Sequence, residues 1–373
     1  MSPLTRIALV AALETVVACV PDSATDAEAT ATAVSAITDP TCPEWGCGMN
    51  SPTLADGVVF DELDTAGALD RHGIKIVSAS QFGKPVQIKI DRHFITAIAL
   101  DGSGFVYEHG GLIGTTIELD KGGTSYGLRI DDVQEQSLRF WAGDTREFVP
   151  FYRILVRLPN DNEFKAPICK PDLPDEIWGP VMHYAIAFAG DRYDPPSKRV
   201  VDAPRGTTWF NLACAGTATA KMHLVRHTNA GAWTASTWVP GNDVLDPGAP
   251  FHTALAQRQA MLKMYAADYC GDGTAYTVDG TPLLYLDERR WYIPPAPVPP
   301  LGIAADGSLT PTGAKVEALW TAAGALCLTT PRMVAPGAVA CAAALPQCTS
   351  ARIRAWAVKP EKAHLISAIP PGP

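Results

Sequence analysis

Nine cysteines constrain this chain more than any other feature, because each pairing scheme closes different loops and admits a different fold. They are Cys19, Cys42, Cys47, Cys169, Cys214, Cys270, Cys327, Cys341 and Cys348. With Cys19 set aside, for the reason given below, an even set remains. In an exported chain such a set reads as a disulfide framework, here of up to four bridges. Zinc ligation is the competing reading. No C-x-x-C occurs, however, and neither Cys42/Cys47 nor Cys341/Cys348 has the spacing of a tetrahedral site. Those two pairs are close enough in sequence for local bridges. Chain order alone does not decide how Cys169, Cys214, Cys270 and Cys327 pair.

Export is written at the N-terminus. Arg6 precedes an apolar stretch, Ile7 to Leu13, and Val16-Val17-Ala18-Cys19 follows. Small residues before a cysteine form the pattern of a bacterial lipobox. Residues 1–18 are therefore expected to be a lipoprotein signal peptide, with Cys19 the lipid-bearing first residue of the mature chain; an ordinary cleaved secretory signal is the alternative. Residues 19–40 are Ala/Thr/Ser-rich and acidic, without Lys, Arg or aromatic residues, and are expected to be a disordered acidic tether. More than one acyl chain would hold the protein at a membrane. No apolar run reaches the ~18 residues of a spanning helix.

The remainder has the composition of a packed body: 47% of the 373 residues are hydrophobic and 18% charged. A net charge of −9 leaves no basic face for phosphates and excludes a general nucleic-acid binder. The many prolines and glycines, 32 and 31, dictate frequent turns and short elements. From Val58 to about Leu158 the pattern is β. Ile74–Val77, Val86–Ile90, Phe94–Ile98, Thr115–Leu119 and Phe151–Val156 are β-branched or alternating runs, separated by Asp56-Gly57, Asp101-Gly102 and Lys121-Gly122-Gly123. Residues 41–109 are read as an N-terminal β module. Phe251, Leu255, Leu262, Tyr265 and Tyr269 share one face of a helix, with Pro250 in its first turn and Gly271 or Gly273 as its stop. Ala275–Val278 and Leu283–Leu286, around Asp279-Gly280, give a hairpin signal, although Pro282 limits pairing. Residues 294–300 form a polyproline connector, and residues 351–373 are read as a C-terminal tail.

The helix ends in Ala267-Asp268-Tyr269-Cys270-Gly271-Asp272-Gly273, and this string resembles the signature of the ADYC domain of bacterial exported proteins and lipoproteins. Leu112–Thr115 with Leu128–Ile130, Phe210–Gly216 with Ala220-Lys221, Phe251-His252, Asp279–Pro282 and Trp320 with Cys327-Leu328 also fit that family. The resemblance spans residues 110–350 and implies an exported domain with no established activity. Met222 and Leu255 stand where the family usually has cysteines, and their joint loss implies a missing bridge.

Other constellations have ordinary explanations. Gly123-Thr124-Ser125-Tyr126-Gly127 matches G-x-S-x-G, but a strand follows where a nucleophile elbow needs a helix, so a hairpin turn explains it. His223 and His227 are four apart, with His252 as a conceivable third zinc ligand, yet no acidic residue lies between them. Asp268, Asp272 and Asp279 are weak calcium candidates. Their spacing is not that of a calcium loop, and Asp beside Gly ordinarily forms turns. Asp268 could instead be buried against an arginine such as Arg258, with Tyr269 in the core, Cys270 bridged to a neighbouring strand, and Gly271 and Gly273 at positive φ. Trp233 and Trp238 flank a polar loop and are candidates for an exposed binding edge.

These readings converge on an α+β, β-rich fold: antiparallel sandwich or barrel-like sheets with one prominent helix, stapled by disulfides. No catalytic residue and no cofactor is assigned. The expected function is a non-catalytic binding or structural lipoprotein of the cell envelope. It would meet the membrane through its lipid, and an envelope protein or a surface polymer as partner. An exported hydrolase with an acidic site, or a calcium-stabilised adhesive module, are the alternatives.

Overall fold

The structure is a computed structural model. It describes residues 32–33, 58–135, 148–169, 183–194, 196–201, 208–214, 217–229, 233–234, 250–251, 254–276, 281–287, 302–310, 313–332, 338–358 and 363–369. Cys19, Cys42, Cys47, His252, Asp279, Trp238 and residues 294–300 lie outside them.

The fold is α+β and rich in antiparallel strands. The main sheet contains β1 (Glu62–Asp64), β2 (Ile74–Gln81), β3 (Lys84–Asp91), β4 (Phe94–Ala99), β5 (Val106–Tyr107), β6 (Thr116–Lys121), β7 (Thr124–Gln134), β8 (Phe151–Arg157), β9 (Tyr184–Ala189) and β10 (Trp209–Cys214). Its order is β1-β10-β9-β8-β7-β6-β2-β3-β4-β5. It does not close into a barrel. Instead β3–β5 fold over the rest. Along the strand ladder the two layers meet at the β2–β3 hairpin pairs Ser80↔Pro85 and Gln81↔Lys84, while the length of β3 pairs with β4. The Tyr152 hydroxyl on β8 accepts the Ile95 N–H at 3.0 Å, so β4 lies across the face of the sheet. The sandwich reading is thus realised by one bent sheet. It runs without interruption across the boundary placed at residue 109.

Alternation along the central strands feeds two cores. Tyr152, Ile154, Ala185, Ala187 and Leu212 face the overlying β3–β5 layer. Phe151, Ile186, Phe188 and Ala213 face the opposite way, onto α1 (Ala218–Leu224) and α2 (Leu255–Ala266). This period-two division is what a strand buried on both faces requires. Beyond α2 a second sheet has the order β11-β14-β12-β13, formed by β11 (Leu284–Asp287), β12 (Lys315–Thr321), β13 (Gly324–Leu328) and β14 (Leu365–Ile369). Helix α3 (Ser350–Val358) joins its far side through Ile353 and Trp356.

Three expectations change here. Pro250 and Phe251 are not in the helix. They form a two-residue ribbon with Trp233 and Thr234, and α2 starts at Leu255 after Ala254. The helix is also not amphipathic. Lying between two sheets, it buries Gln257 through Ala266 on every side, and its polar residues need internal partners. The Leu283–Leu286 run finds a distant partner: Leu284–Asp287 pairs with Leu365–Ile369, so residues read as a tail supply a strand and a helix. Within the stretch read as a tether, Thr32 and Ala33 pair with Pro282 and Thr281.

Three disulfides staple the described residues: Cys169–Cys214, Cys270–Cys341 and Cys327–Cys348. The local Cys341–Cys348 bridge is therefore not formed. Cys341 reaches back to the helix end, and Cys348 to β13. Among the described residues no helix is long and apolar enough to cross a membrane.

Candidate functional site

The signature string closes α2 and joins it to the second sheet. Ala267 takes the left-handed conformation at φ 52°, and the Asp268 N–H returns to the Lys263 carbonyl at 2.9 Å. Asp268 is fully buried. Its Oδ2 accepts Lys263 Nζ at 2.5 Å and the Gly273 N–H at 2.9 Å. Burial pushes this carboxyl up, against the opposing pull of Lys263. Arg258, the expected partner, instead grips Asp191, with Nε 2.6 Å from Oδ2. Lys263 also donates to the Ser197 carbonyl at 2.9 Å, and Gln259 bonds Val200 N–H and the Lys198 carbonyl. The polar residues of the buried helix thus clamp Asp191, Ser197, Lys198 and Val200.

Tyr269 stacks on Trp320, with centroids 5.2 Å apart. Its hydroxyl donates to Glu317 Oε1 at 2.5 Å and accepts the Arg332 N–H at 2.9 Å. Arg332 meets Glu317 through two bonds of 2.8 Å, and Ser367 and the Trp320 indole complete the network. Burial, then the Glu317 charge, hold the Tyr269 phenol well above its usual range. Cys270 bridges to Cys341 in a turn segment, not to a strand. Gly271 and Gly273 do take positive φ, at 74° and 94°. A Cβ on Gly271 would lie 1.9 Å from the Ala323 carbonyl oxygen, so only glycine admits the β12–β13 turn here. Asp272 accepts the Thr274 N–H at 2.9 Å, an ordinary turn bond. Of the calcium candidates, Asp268 is held by a lysine and Asp272 by its own turn, and Asp279 lies outside the described residues. Among the described residues no group of three or more His, Cys, Asp or Glu side chains is arranged to hold a metal ion.

His223 and His227 do not share a helix face. Helix α1 ends at Leu224, Arg226 is left-handed, and the His227 ring bonds the Val225 carbonyl at 2.8 Å. His223 stacks on Phe188 and pairs with Thr228. Gly123–Gly127 spans the β6–β7 hairpin, as its context implied.

Sequence reasoning passed over one recess. It measures about 250 Å³ and is lined by Asp91, Phe94, Ile95, Thr96, Glu108, His109, Glu135 and Tyr152. Asp91 ends β3 and Phe94 starts β4, across a turn in which Arg92 is left-handed and its guanidinium lies 5.8 Å over the Phe94 ring. Glu108 and His109 open a short 3-10 turn, and His109 reaches φ 55°. The His109 ring pairs with the Glu135 carboxylate and lies 6.3 Å from the Phe94 ring. Tyr152 forms a buried floor, and burial raises its phenol far enough to keep it protonated. Behind it His93 is neutral: burial, with Arg92 and Arg226 nearby, lowers its imidazole to about 3. Three carboxylates, one imidazole and aromatic walls make a recess that attracts cationic groups and offers apolar contact. No local motif marks it, because its residues come from five elements. The nearest signal is Glu108-His109-Gly110-Gly111, a histidine in a glycine's conformation.

A second cluster surrounds β1. Arg192 holds the buried Glu62 through bonds of 2.9 and 2.5 Å and lies 3.9 Å over Trp209. Asp61 meets Arg71 and His72, and Asp70 Oδ1 accepts the N–H groups of His72 and Ile74 at 2.8 and 2.7 Å.

The sequence profile of the ADYC domain matches residues 109–334 of this chain, more than half its length. Neither the curated proteins nor the solved structures hold a match.

Proposed function

Because the chain belongs to the ADYC domain family, we propose that it is a non-catalytic binding module of the cell envelope, anchored through a lipid on Cys19 and presenting the recess of Asp91, Glu108, His109 and Glu135 to its partner. The recess carries the reading: it concentrates negative charge against aromatic walls, and its carboxylates, Asp91, Glu108 and Glu135, lie outside the hydrophobic cores. The three disulfides support an oxidising compartment, since such staples are rare where thiols are kept reduced. The 47% hydrophobic composition and the negative net charge support a packed, acidic surface protein without nucleic-acid contact.

Two features weigh against an exported hydrolase or a calcium module centred on the signature. Asp268 is paired with Lys263, and Asp272 turns its own loop.

The test is co-sedimentation of the full chain, made lipid-free by Cys19→Ala, with purified bacterial envelopes. The expected result is binding that weakens as salt rises and falls about tenfold in an Asp91→Asn, Glu108→Gln, Glu135→Gln triple variant. Equal binding by the triple variant would remove the recess from the account.

A further inference from the structure

The main sheet ends on β5, Val106–Tyr107, and among the described residues no strand pairs with its outer side. Exposed sheet ends are usually guarded by Lys, Pro or charge, because their unpaired N–H and C=O groups recruit other chains. Here the sequence is Gly104-Phe105-Val106-Tyr107. Phe105 is 58% exposed, and Phe82, from the adjoining β2–β3 turn, 77%. Both rings meet Tyr107 edge to face, Phe105 at 4.8 Å and Phe82 at 6.4 Å. The next two residues, Glu108 and His109, enter the acidic recess. An open strand edge, an exposed aromatic ridge and a pocket of negative charge therefore follow one another along five residues of chain.

We propose that this edge docks an extended segment of another polypeptide that carries basic side chains alternating with apolar ones. This rests on the binding-module reading above and names the partner's chemistry. The edge supplies main-chain hydrogen bonds, the mode in which a peptide adds a strand to a sheet. Alternate side chains of an added strand point to one face, so an apolar residue can pack against Phe105 and Phe82 while a Lys or Arg nearby reaches Asp91, Glu108 or Glu135. Charge complementarity selects the basic partner. A polysaccharide fits less well. The rings cross at 69° and 68° and present ridges rather than one flat floor for sugar faces.

The probe is a blocked hexapeptide alternating valine and lysine, labelled for fluorescence anisotropy and titrated into the full chain bearing Cys19→Ala. Controls are the valine–glutamate peptide, the valine–lysine peptide with alternate backbone nitrogens methylated, and a glucosamine hexamer. Lysine-peptide binding is expected to exceed glutamate-peptide binding by about tenfold or more. Methylation, Phe105→Ser and Glu108→Gln are each expected to weaken it about fivefold or more, at an unchanged melting temperature, since both side chains lie outside the cores. No peptide binding, equal binding of the two charge types, indifference to methylation, or tighter binding of the sugar overturns the inference. If envelopes are still bound in a recess-dependent way, the binding-module reading survives that failure.

Discussion

The hydroxyl of Tyr269 donates to the carboxylate of Glu317 at 2.5 Å, inside a core that excludes water from both. This bond is the reason a tyrosine follows the helix-ending Ala267-Asp268 pair. A ring alone would stack on Trp320, but the hydroxyl also accepts the Arg332 N–H and so ties the helix end to two segments of the second sheet region.

Deleting parts of this network should therefore cost unequal amounts. Tyr269→Phe keeps the stacking and the Glu317–Arg332 pair and removes one bond each from the Arg332 N–H and Glu317 Oε1, which still bond each other, a loss of about 1–3 kcal/mol. Glu317→Gln leaves the fully buried Arg332 without its counter-charge, a loss of about 3–5 kcal/mol. Urea unfolding of the two variants checks the order; equal costs would mean that Arg332 finds another partner.

Gly271 and Gly83 share a positive φ, at 74° and 75°, but not their surroundings. A Cβ on Gly83 meets nothing within 4 Å, whereas on Gly271 it collides with the Ala323 carbonyl. Gly83→Ala should lose only the backbone preference, about 1–2 kcal/mol. Gly271→Ala should lose more than about 3 kcal/mol or fail to fold. Thermal melting of both variants decides, and similar melting temperatures would refute the close approach.

Burial raises Asp70 to about 6, against the N–H groups of Ile74 and His72 that favour its charge. A folded pKa above the unfolded value of about 3.8 means that the folded chain keeps this proton longer. The stability it contributes is fully present below pH 3.8 and is lost as pH rises through 6, a change on the order of 3 kcal/mol. His93, lowered to about 3, works in the opposite direction: its contribution is present above pH 6.5 and is lost as the solution is acidified. The informative quantity is the difference between the protein and its Asp70→Asn variant. Asparagine can keep the bonds at Oδ1 and cannot ionise. The variant should gain stability relative to the parent between pH 4 and pH 6 in chemical denaturation; a constant difference across that range would contradict the buried, ionisable Asp70.

The hairpins of residues 74–130 and the core of the helix were legible because their signals are local: β-branched alternation, Asp-Gly and Gly-Gly turns, and apolar residues at helical spacing. Gly271 and Gly273 were legible as positive-φ positions for the same reason. The helix start was misplaced because Pro250 fits a first turn equally well as it fits a ribbon. The helix's burial on every side was hidden because the internal partners of Arg258, Gln259 and Lys263, Asp191 and residues 197–200, lie about sixty residues away in sequence. Leu284–Asp287 looked like half of a hairpin since its true partner, Leu365–Ile369, lies about eighty residues away. The cysteine pairing failed likewise: nearness in sequence favoured Cys341–Cys348, whereas the fold brings Cys341 to the signature and Cys348 to β13. The recess left little trace in any single stretch, for its walls come from five separate elements.

The most direct test of an exported, stapled module is peptide mapping by mass spectrometry of the full protein recovered from native membranes, without prior reduction. The account predicts Cys169–Cys214, Cys270–Cys341 and Cys327–Cys348 as linked peptides, and an acylated Cys19 at the N-terminus. Free thiols at these six positions together with an intact residue 1–18 segment, or a Cys341–Cys348 link, would contradict it.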